Sequence, residues 1–425
     1  MGVRSAPARP AQPVVSATAA EDFVVQEATI EQLQAALSAG DVTSQELVQI
    51  YLQRIAQYDD SGPKINSVLE LNPDALDIAA RLDAERKAGL VRGPLHGIPI
   101  LIKGNIATDD RMDTTAGSVA LVNSAPQEDA FIVKRLRAAG AVILGKSNLT
   151  EFANFMSYHM PSGYSSLGGQ TLNPYNPALG EFGVPVLTPC GSSAGSGAGT
   201  AANLTSISIG TETSGSILCP SSFNAVVGIK TTLGLVSRSG IIPIASSQDV
   251  AGPMTRTVAD AATLLNVMAG VDPNDPPTLK SVGKIPADYR ESLKVNGLSG
   301  ARIGIARQYF GSNEETIAIV EKAIADMAAQ GAVVVDPVDI PTTDQLNETD
   351  SDVLIYEFKQ DLNAYLAKVE PTSPVKTLKQ VIQYNRRHPI IALEYGQGIL
   401  LNSQNQSGTT ITKAEAAADR ARDAY

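Results

Sequence analysis

The sequence predicts an α/β fold, a single large α/β/α domain in which helices cover a mixed, mainly parallel central sheet. Short apolar runs occur at 97–103, 141–146, 206–211 and 301–306, and their continuous rather than alternating apolarity is typical of strands buried on both faces. Helical patterns separate these runs, and strands that alternate with helices favour a sheet with parallel pairs. With 425 residues, 43% of them hydrophobic, the chain is long enough to bury a substantial core.

The predicted helices begin and end at recognisable signals. Thr43 and Glu46 form a capping box at the start of one helix, and Gly89 and Gly140 end two later ones. A polar, Pro-rich stretch at 271–286 predicts a long surface loop. Further helices are predicted at 313–330, 351–370, 375–388 and 412–425.

No internal repeat or linker divides the chain, so we predict one domain over residues 27–425. The first twenty residues are rich in Ala and Pro and lack the apolar core of a signal peptide, which predicts a disordered tail over residues 1–26. No apolar run approaches the ~18 residues that a membrane span needs. We therefore expect a soluble protein without a membrane partner, with the cytoplasm slightly favoured over secretion.

The charge pattern argues against a nucleic-acid partner. The formal net charge is −11, and the positive residues are scattered rather than grouped on one stretch. This balance fits a protein that acts on small or neutral substrates.

Two cysteines, Cys190 and Cys219, are too few for a disulfide scaffold. No His or Cys residues stand at metal-ligand spacing, so no metal site is predicted. We expect both cysteines to be small buried side chains, and a bond between them remains open.

A Gly/Ser-rich segment over residues 190–220 stands out from the rest of the chain. It reads CGSSAGSGAG at its start and GTETSGSILCP at its end, and apolar segments typical of a protein core are interleaved with it and follow it, which argues against a flexible linker. Glycine beside serine at this density predicts backbone N–H groups close to a reacting group and a hydroxyl on a tight turn. Thr211 and Thr213 are expected to be loop residues of this segment.

One interpretation of the segment is a Ser-His-Asp hydrolase. GSSAG at 191–195 fits the GxSxG pattern with Ser193 as nucleophile, and His388 would be the base. The two prolines directly before the pattern fit poorly with the strand that such a turn requires. Because a lone GxSxG match is a weak signal, we do not favour this interpretation.

Lys103 is the other candidate base. It ends the apolar run IPILI, and burial there would disfavour the ammonium form and lower its pKa. On this strand alone, an edge lysine that extends to water is the more common explanation.

Three sequence blocks, considered together, favour Lys103 as a base over an edge lysine. They are GPLHGIPILIKGNI, CGSSAGSG and GTETSGSILCPSSFNAVVGIK, in this order. Together they resemble the amidase signature family, most closely its bacterial peptide amidases, from about residue 27 to the end. The resemblance implies the amidase signature fold and a Ser-Ser-Lys triad of Lys103 as base, Ser192 as bridging serine and Ser216 as nucleophile. The two serines stand 24 residues apart, as the family pattern requires.

The resemblance also implies the surroundings of the triad. Backbone N–H groups of Thr213, Ser214, Gly215 and Ser216 would form the oxyanion hole, although Ser214 stands where family members commonly have glycine or aspartate. A cis peptide bond would precede Ser192. Supporting roles are expected for Ser193, Asn105 and Gln170.

The function expected from this resemblance is an amide hydrolase that releases ammonia from C-terminal peptide amides or similar small carboxamides. No metal or organic cofactor is expected, and the expected partner is a small-molecule or peptide amide substrate. Family members continue beyond the point where this sequence stops, so the domain is expected to lack the usual C-terminal elements. The alternatives are an inactive or truncated homologue and an A-type component of an amidotransferase.

Overall fold

The centre of the fold is a six-stranded mixed sheet. The computed structural model describes residues 23–371 and 373–405 of the chain. The strands of the sheet are β1 Val68–Leu71, β2 Pro99–Lys103, β3 Val142–Ser147, β6 Ile207–Glu212, β7 Val227–Gly228 and β8 Val250–Thr255, in the spatial order β1-β3-β2-β6-β8-β7. Two short pairs lie outside it: β4 Tyr164–Ser165 with β5 Gly169–Gln170, and β9 Arg302–Gly304 with β10 Val333–Val335.

The central strands are buried along their full length. Every residue of β2, β3, β6 and β8 is buried, as their continuous apolar runs predict. Strand β2 lies between β3 and β6 and is parallel to both, whereas β1, β7 and β8 add antiparallel pairs. The predicted α/β class with a mixed sheet is confirmed, and parallel pairing in this sheet is confined to its centre.

Side-chain caps define the starts of several helices. Thr29 and Thr43 each form a full capping box, and the predicted pair of Thr43 and Glu46 is confirmed. The helices are α1 Ile30–Ala39, α2 Ser44–Arg54, α3 Ala75–Lys87, α4 Phe131–Ala138, α5 Glu151–Asn154, α6 Ala194–Ala201, α7 Leu218–Phe223, α8 Val258–Met268, α9 Glu314–Ala329, α10 Thr343–Leu366, α11 Leu378–Arg387, α12 Pro389–Ala392 and α13 Gly398–Gln404.

Two hydrophobic clusters hold the helices on the sheet. In the larger one, the apolar residues of β2 and β3 pack with helices α1 to α4 and α8. In the second, helices α10, α11 and α13 pack on Phe152 and Phe155, and the ring of Phe358 lies 4.9 Å from that of Phe155. Helix α10 of this cluster also lines the cavity that Asn105 and Thr211 border.

Two stretches differ from their sequence-based predictions. The run at 301–306 was predicted to be a buried strand of the sheet, but only Arg302–Gly304 is extended, and it pairs with β10 in a separate, largely exposed sheet. The stretch at 271–286 was predicted to be a surface loop, yet it contains a 3-10 turn, and Asp272 and Thr278 are buried. In both cases a local pattern does not reveal which tertiary surface the segment packs against.

The chain termini are described only in part. Val25 is 2% exposed and packs in the larger cluster, as does the partly buried Phe23, so these two residues of the predicted tail contact the domain that was predicted to begin at residue 27. The rest of the predicted tail and the predicted helix at 412–425 lie outside the described residues.

Neither a membrane helix nor a metal cluster occurs in the part of the chain that the structure describes. None of the described helices is both long enough and apolar enough to cross a bilayer. Likewise, no group of three or more His, Cys, Asp and Glu side chains among residues 23–371 and 373–405 is placed to hold a metal ion.

Replacing Thr43 with alanine is expected to lower the free energy of unfolding by about 1 kcal/mol. The Thr43 hydroxyl accepts the N–H of Glu46 at 3.1 Å, and alanine leaves that N–H of the first turn of α2 without its acceptor. Urea denaturation of the two proteins measures the difference. Thr43→Ser keeps the acceptor and is expected to stay within experimental error of the unsubstituted protein.

Candidate active site

Lys103, Ser192 and Ser216 come from three separate stretches and lie near one edge of the central sheet. Lys103 is the last residue of β2, and the neighbouring strand β6 ends at Glu212, shortly before Ser216. Ser192 stands just before α6. Because β2 and β6 are parallel, their carboxyl ends lie at the same edge, where α/β proteins commonly place their sites.

The Lys103 side chain is fully buried and has three hydrogen-bond acceptors. Its Nζ atom donates to Ser192 Oγ at 2.7 Å, to Thr211 O at 3.0 Å and to Thr211 Oγ1 at 2.9 Å. A neutral amine has two N–H groups and one lone pair. If Thr211 takes both N–H groups, the lone pair is directed at the Ser192 hydroxyl.

Burial lowers the pKa of Lys103 to about 7, because the charged form loses its hydration. Two carboxylates, those of Glu212 and Asp249, act in the opposite direction and favour the protonated form. The amine is thus largely neutral above pH 7, which is the state that a general base requires. The lowered pKa agrees with the sequence-based prediction.

Ser192 is held in a tight loop before α6. The peptide bond between Gly191 and Ser192 is cis, as the family resemblance implies, and Ser192 O accepts the N–H of Thr150 at 3.0 Å. A β-carbon on Gly195 would lie 2.2 Å from Ser67 O, so only glycine allows the first turn of α6 to approach the chain this closely. The glycines of this segment therefore serve close packing as well as turn formation.

Glu212 organises the turn that carries Ser216. Its carboxylate accepts the backbone N–H groups of Gly215 at 2.9 Å, Ile217 at 2.7 Å and Leu218 at 2.9 Å. Gly215 has a φ of 82°, in the left-handed region that favours glycine. One buried carboxylate thus holds the backbone on both sides of Ser216.

This arrangement corrects part of the predicted oxyanion hole. The sequence assigned the N–H groups of Thr213, Ser214, Gly215 and Ser216 to it. The N–H group of Gly215 is already donated to Glu212, so it is not available to a substrate. The N–H groups of Thr213, Ser214 and Ser216 remain as candidate donors.

Ser193 joins the two serine loops to the sheet. Its N–H donates to Ser216 O at 3.1 Å, and its hydroxyl donates to Thr211 O at 3.1 Å. The predicted supporting residue therefore lies inside the hydrogen-bond network around Lys103, Ser192 and the turn of Ser216, called the network below. No hydrogen bond joins the hydroxyls of Ser192 and Ser216 among the described residues, so a proton transfer between them belongs to the proposal below.

Asn105 and Gln170, the other predicted supporting residues, have different surroundings. Asn105 Nδ2 donates to Thr211 Oγ1 at 3.0 Å, the same hydroxyl that Lys103 contacts. Gln170 Nε2 donates to two backbone carbonyls at 2.8 Å each, near its own hairpin. The structure brings Asn105 to the lysine and places Gln170 outside this network.

Cys190 and Cys219 form a disulfide, with their Cα atoms 5.8 Å apart. Sequence reasoning left this bond open. Because Cys190 closely precedes Ser192 and Cys219 closely follows Ser216, the disulfide links the two serine loops covalently.

A cavity of about 740 Å³ opens beside the network. Its wall includes Asn105, Thr211 and Thr213, and the apolar segment 241–244 forms much of another side. Helix α10 contributes Tyr365. A volume of this size is typical of sites for small molecules.

Three residues of the network were not predicted: Thr211, Glu212 and Asp249. Thr211 ends the predicted run 206–211 but was expected to act as a loop residue, and it lies within β6. Glu212 carries a local signal, since a glutamate just before a Gly/Ser turn can accept the free N–H groups of that turn. Asp249 follows later in the chain, and no role was predicted for it from the sequence.

Comparisons with known sequences identify the family. The family model described as Amidase matches residues 46–425. A probable amidase of Arabidopsis thaliana is 42% identical over 395 residues, which cover 91% of this chain and 73% of that protein. The A component of the glutamyl-tRNA(Gln) amidotransferase of Chloroflexus aurantiacus is 42% identical over 319 residues, or 74% of this chain and 61% of that protein.

Solved structures agree with this assignment. The native peptide amidase from Stenotrophomonas maltophilia matches with a TM-score of 0.84 and 45% identity, over 93% of this chain and 79% of that one. A peptide amidase in complex with the competitive inhibitor chymostatin matches with a TM-score of 0.86 and 44% identity, over 94% of this chain and 80% of that one. The chain therefore belongs to the amidase family and is an amide hydrolase.

Proposed function

We propose that this protein hydrolyses C-terminal peptide amides or similar small carboxamides, with Lys103, Ser192 and Ser216 as its catalytic triad. The observation that carries the proposal is the contact of 2.7 Å between Lys103 Nζ and Ser192 Oγ in a fully buried site. The backbone bond from Ser193 N–H to Ser216 O ties the nucleophile turn to the same loop.

In the first half of the reaction, Ser216 Oγ attacks the amide carbonyl and forms a tetrahedral intermediate. The Ser216 proton passes to Ser192, whose own proton moves to the neutral amine of Lys103. Free backbone N–H groups of the turn stabilise the oxyanion. The C–N bond then breaks, the proton returns through Ser192 to the leaving nitrogen, and ammonia departs.

In the second half, water attacks the acyl group on Ser216. Its proton moves through Ser192 to Lys103, and the bond between Ser216 Oγ and the acyl carbon then breaks. The proton returns to Ser216, and the carboxylic acid leaves. Lys103 is thus neutral at the start and at the end of each turnover.

The peptide part of the proposal is supported by the neighbours and by the cavity. One structural neighbour is a peptide amidase, and another holds the inhibitor chymostatin. The cavity of about 740 Å³ has the apolar wall 241–244, which suits an apolar residue beside the scissile amide.

The second candidate is an amidotransferase A-type activity, in which ammonia from glutamine serves a partner enzyme. The identity of 42% to the A component of a glutamyl-tRNA(Gln) amidotransferase favours this candidate. Glutamine hydrolysis by the isolated chain separates it from the peptide amidase proposal.

The purified protein is expected to release ammonia from an amidated dipeptide with a kcat/KM about 10-fold or more above that for free glutamine, because glutamine leaves the apolar wall unused. A coupled ammonia assay measures both rates, with Ser216→Ala as the blank. The reverse preference would support the amidotransferase candidate. Ammonia release that persists in Ser216→Ala would contradict the assigned nucleophile.

A further inference from the structure

We propose that Asp249 is a positioning residue for this reaction: it fixes Thr213 at the start of the turn that carries Ser216, and its negative charge favours the protonated form of Lys103. This inference rests on the triad of the proposed function. It concerns a residue that lies outside the Gly/Ser segment and outside the three sequence blocks.

The first observation is that both oxygens of the Asp249 carboxylate are engaged. Oδ1 accepts the hydroxyl of Thr213 at 2.5 Å. Oδ2 accepts the N–H groups of Ile244 at 2.8 Å and Ala245 at 3.1 Å. Asp249 thus connects the turn after β6 to the segment that forms the apolar wall of the cavity, and it lines the cavity itself.

The second observation is the position of Thr213 in the turn. Thr213 follows Glu212 directly and carries one of the candidate oxyanion N–H groups. Glu212 holds the far end of the turn through the N–H groups of Gly215 and Ile217. The near end is held through the Thr213 side chain, so two separate carboxylates determine the direction of the N–H groups between them.

The third observation is the charge that Asp249 places near Lys103. Glu212 and Asp249 are the two carboxylates that favour the protonated lysine. Arg238, the cation that faces Asp249, is itself paired with Asp275. A third carboxylate, that of Asp361, lines the same cavity and accepts the N–H of Ser246 at 2.7 Å.

These charges predict how the base responds when Asp249 is neutral. Burial raises the pKa of Asp249 to about 7, close to that of Lys103, so the two groups change charge in the same pH range. With the negative charge removed, the ammonium form of Lys103 loses a favourable partner. Its pKa falls, and neutral lysine persists to lower pH.

The test compares Asp249→Asn with Thr213→Val and Thr213→Ser. Asparagine keeps an acceptor for the 244–245 turn and removes the charge, whereas valine removes the Thr213 hydroxyl and keeps the Asp249 carboxyl group. The measurements are the pH profile of kcat/KM for an amidated dipeptide, and the pH-dependent rate at which a fluorophosphonate labels Ser216. Labelling displaces fluoride and needs no amide turnover.

Asp249→Asn is expected to move the acidic limb of both profiles to lower pH by about half a unit or more. Thr213→Val is expected to lower kcat about 10-fold, because the turn loses the hydrogen bond that holds its first residue. Thr213→Ser is expected to restore kcat. Asp260→Asn, which removes a buried carboxylate that accepts the N–H of Ile30 at 2.9 Å, is the matched control and should leave both profiles unmoved.

An acidic limb that stays in place in Asp249→Asn overturns the inference, as does a Thr213→Val variant with unchanged kcat. Equal shifts in Asp249→Asn and Asp260→Asn would also overturn it, since they would reflect overall charge. If the protein is labelled at Ser216 but releases no ammonia, the proposed function fails, and the labelling profiles still decide the role of Asp249.

Discussion

Replacing Lys103 with methionine is expected to lower kcat/KM for a peptide amide by about 10⁴-fold, the cost of removing one member of a catalytic unit that acts together. Methionine fills a similar volume but cannot accept the Ser192 proton. Substrate binding in the cavity involves other residues, so KM is expected to change little. Steady-state ammonia release measures both constants.

The same substitution is expected to change how stability depends on pH. In the native protein Lys103 is neutral above about pH 7, whereas an unfolded lysine stays protonated up to about 10.5. Between these values the unfolded state binds one more proton, so this lysine makes unfolding free energy rise with pH by about 1.4 kcal/mol per unit. The methionine variant lacks this contribution.

The stability of Lys103→Met relative to the unsubstituted protein is therefore expected to be most favourable near pH 7 and to decline toward pH 10. Urea denaturation of both proteins at several pH values in this window gives the difference. Lys146, also fully buried and with its pKa lowered to about 8, is present in both proteins and cancels. A difference that does not vary with pH would mean that Lys103 is charged in the native state.

Replacing Glu212 with glutamine is expected to lower kcat about 10²-fold, comparable to the loss of one oxyanion donor. The glutamate accepts three backbone N–H groups around Ser216, and an amide NH₂ in its place would face at least one of them. The turn would then rearrange and displace the nucleophile. Loss of charged hydrogen bonds at this buried site is also expected to cost about 2 kcal/mol of unfolding free energy.

Kinetics and urea denaturation of Glu212→Gln measure these two effects. Glu46→Gln is a suitable control, because Glu46 also accepts a backbone N–H, that of Thr43 at 2.8 Å, at a helix start in a separate part of the chain. The control is expected to lose stability only. Unchanged kcat in Glu212→Gln would show that the turn holds its shape without the carboxylate.

The sequence predicted the sheet well where a strand is buried on both faces. The runs that became β2, β3 and β6 are continuous and apolar, a pattern that is consistent with strands buried on both faces. The run at 301–306 has the same local pattern but pairs outside the sheet. Its partner strand and the surface it covers are tertiary properties, which a short apolar run does not encode.

The candidate site was predictable to a different degree at each residue. Local pattern alone did not separate a catalytic Lys103 from an edge lysine, and the resemblance of three blocks decided the assignment. Thr211 and Asp249 were not predicted as site residues. The contacts of Thr211 depend on strand register, and those of Asp249 depend on a loop that is distant in the sequence. The role of Gly215 in the oxyanion hole was misjudged because a motif does not show which N–H groups the protein itself uses.

The parallel register of β2 and β6 has a consequence for how this site tolerates change. Ile102 lies opposite Ile209, so Lys103 and Thr211 are brought together by sheet pairing and not by the chain that connects them. Surface loops between the two strands can therefore gain or lose residues while the amine keeps its Thr211 acceptors. Redesign of the protein can start from these loops, and the paired strands and the loop that carries Ser192 are the parts to leave intact.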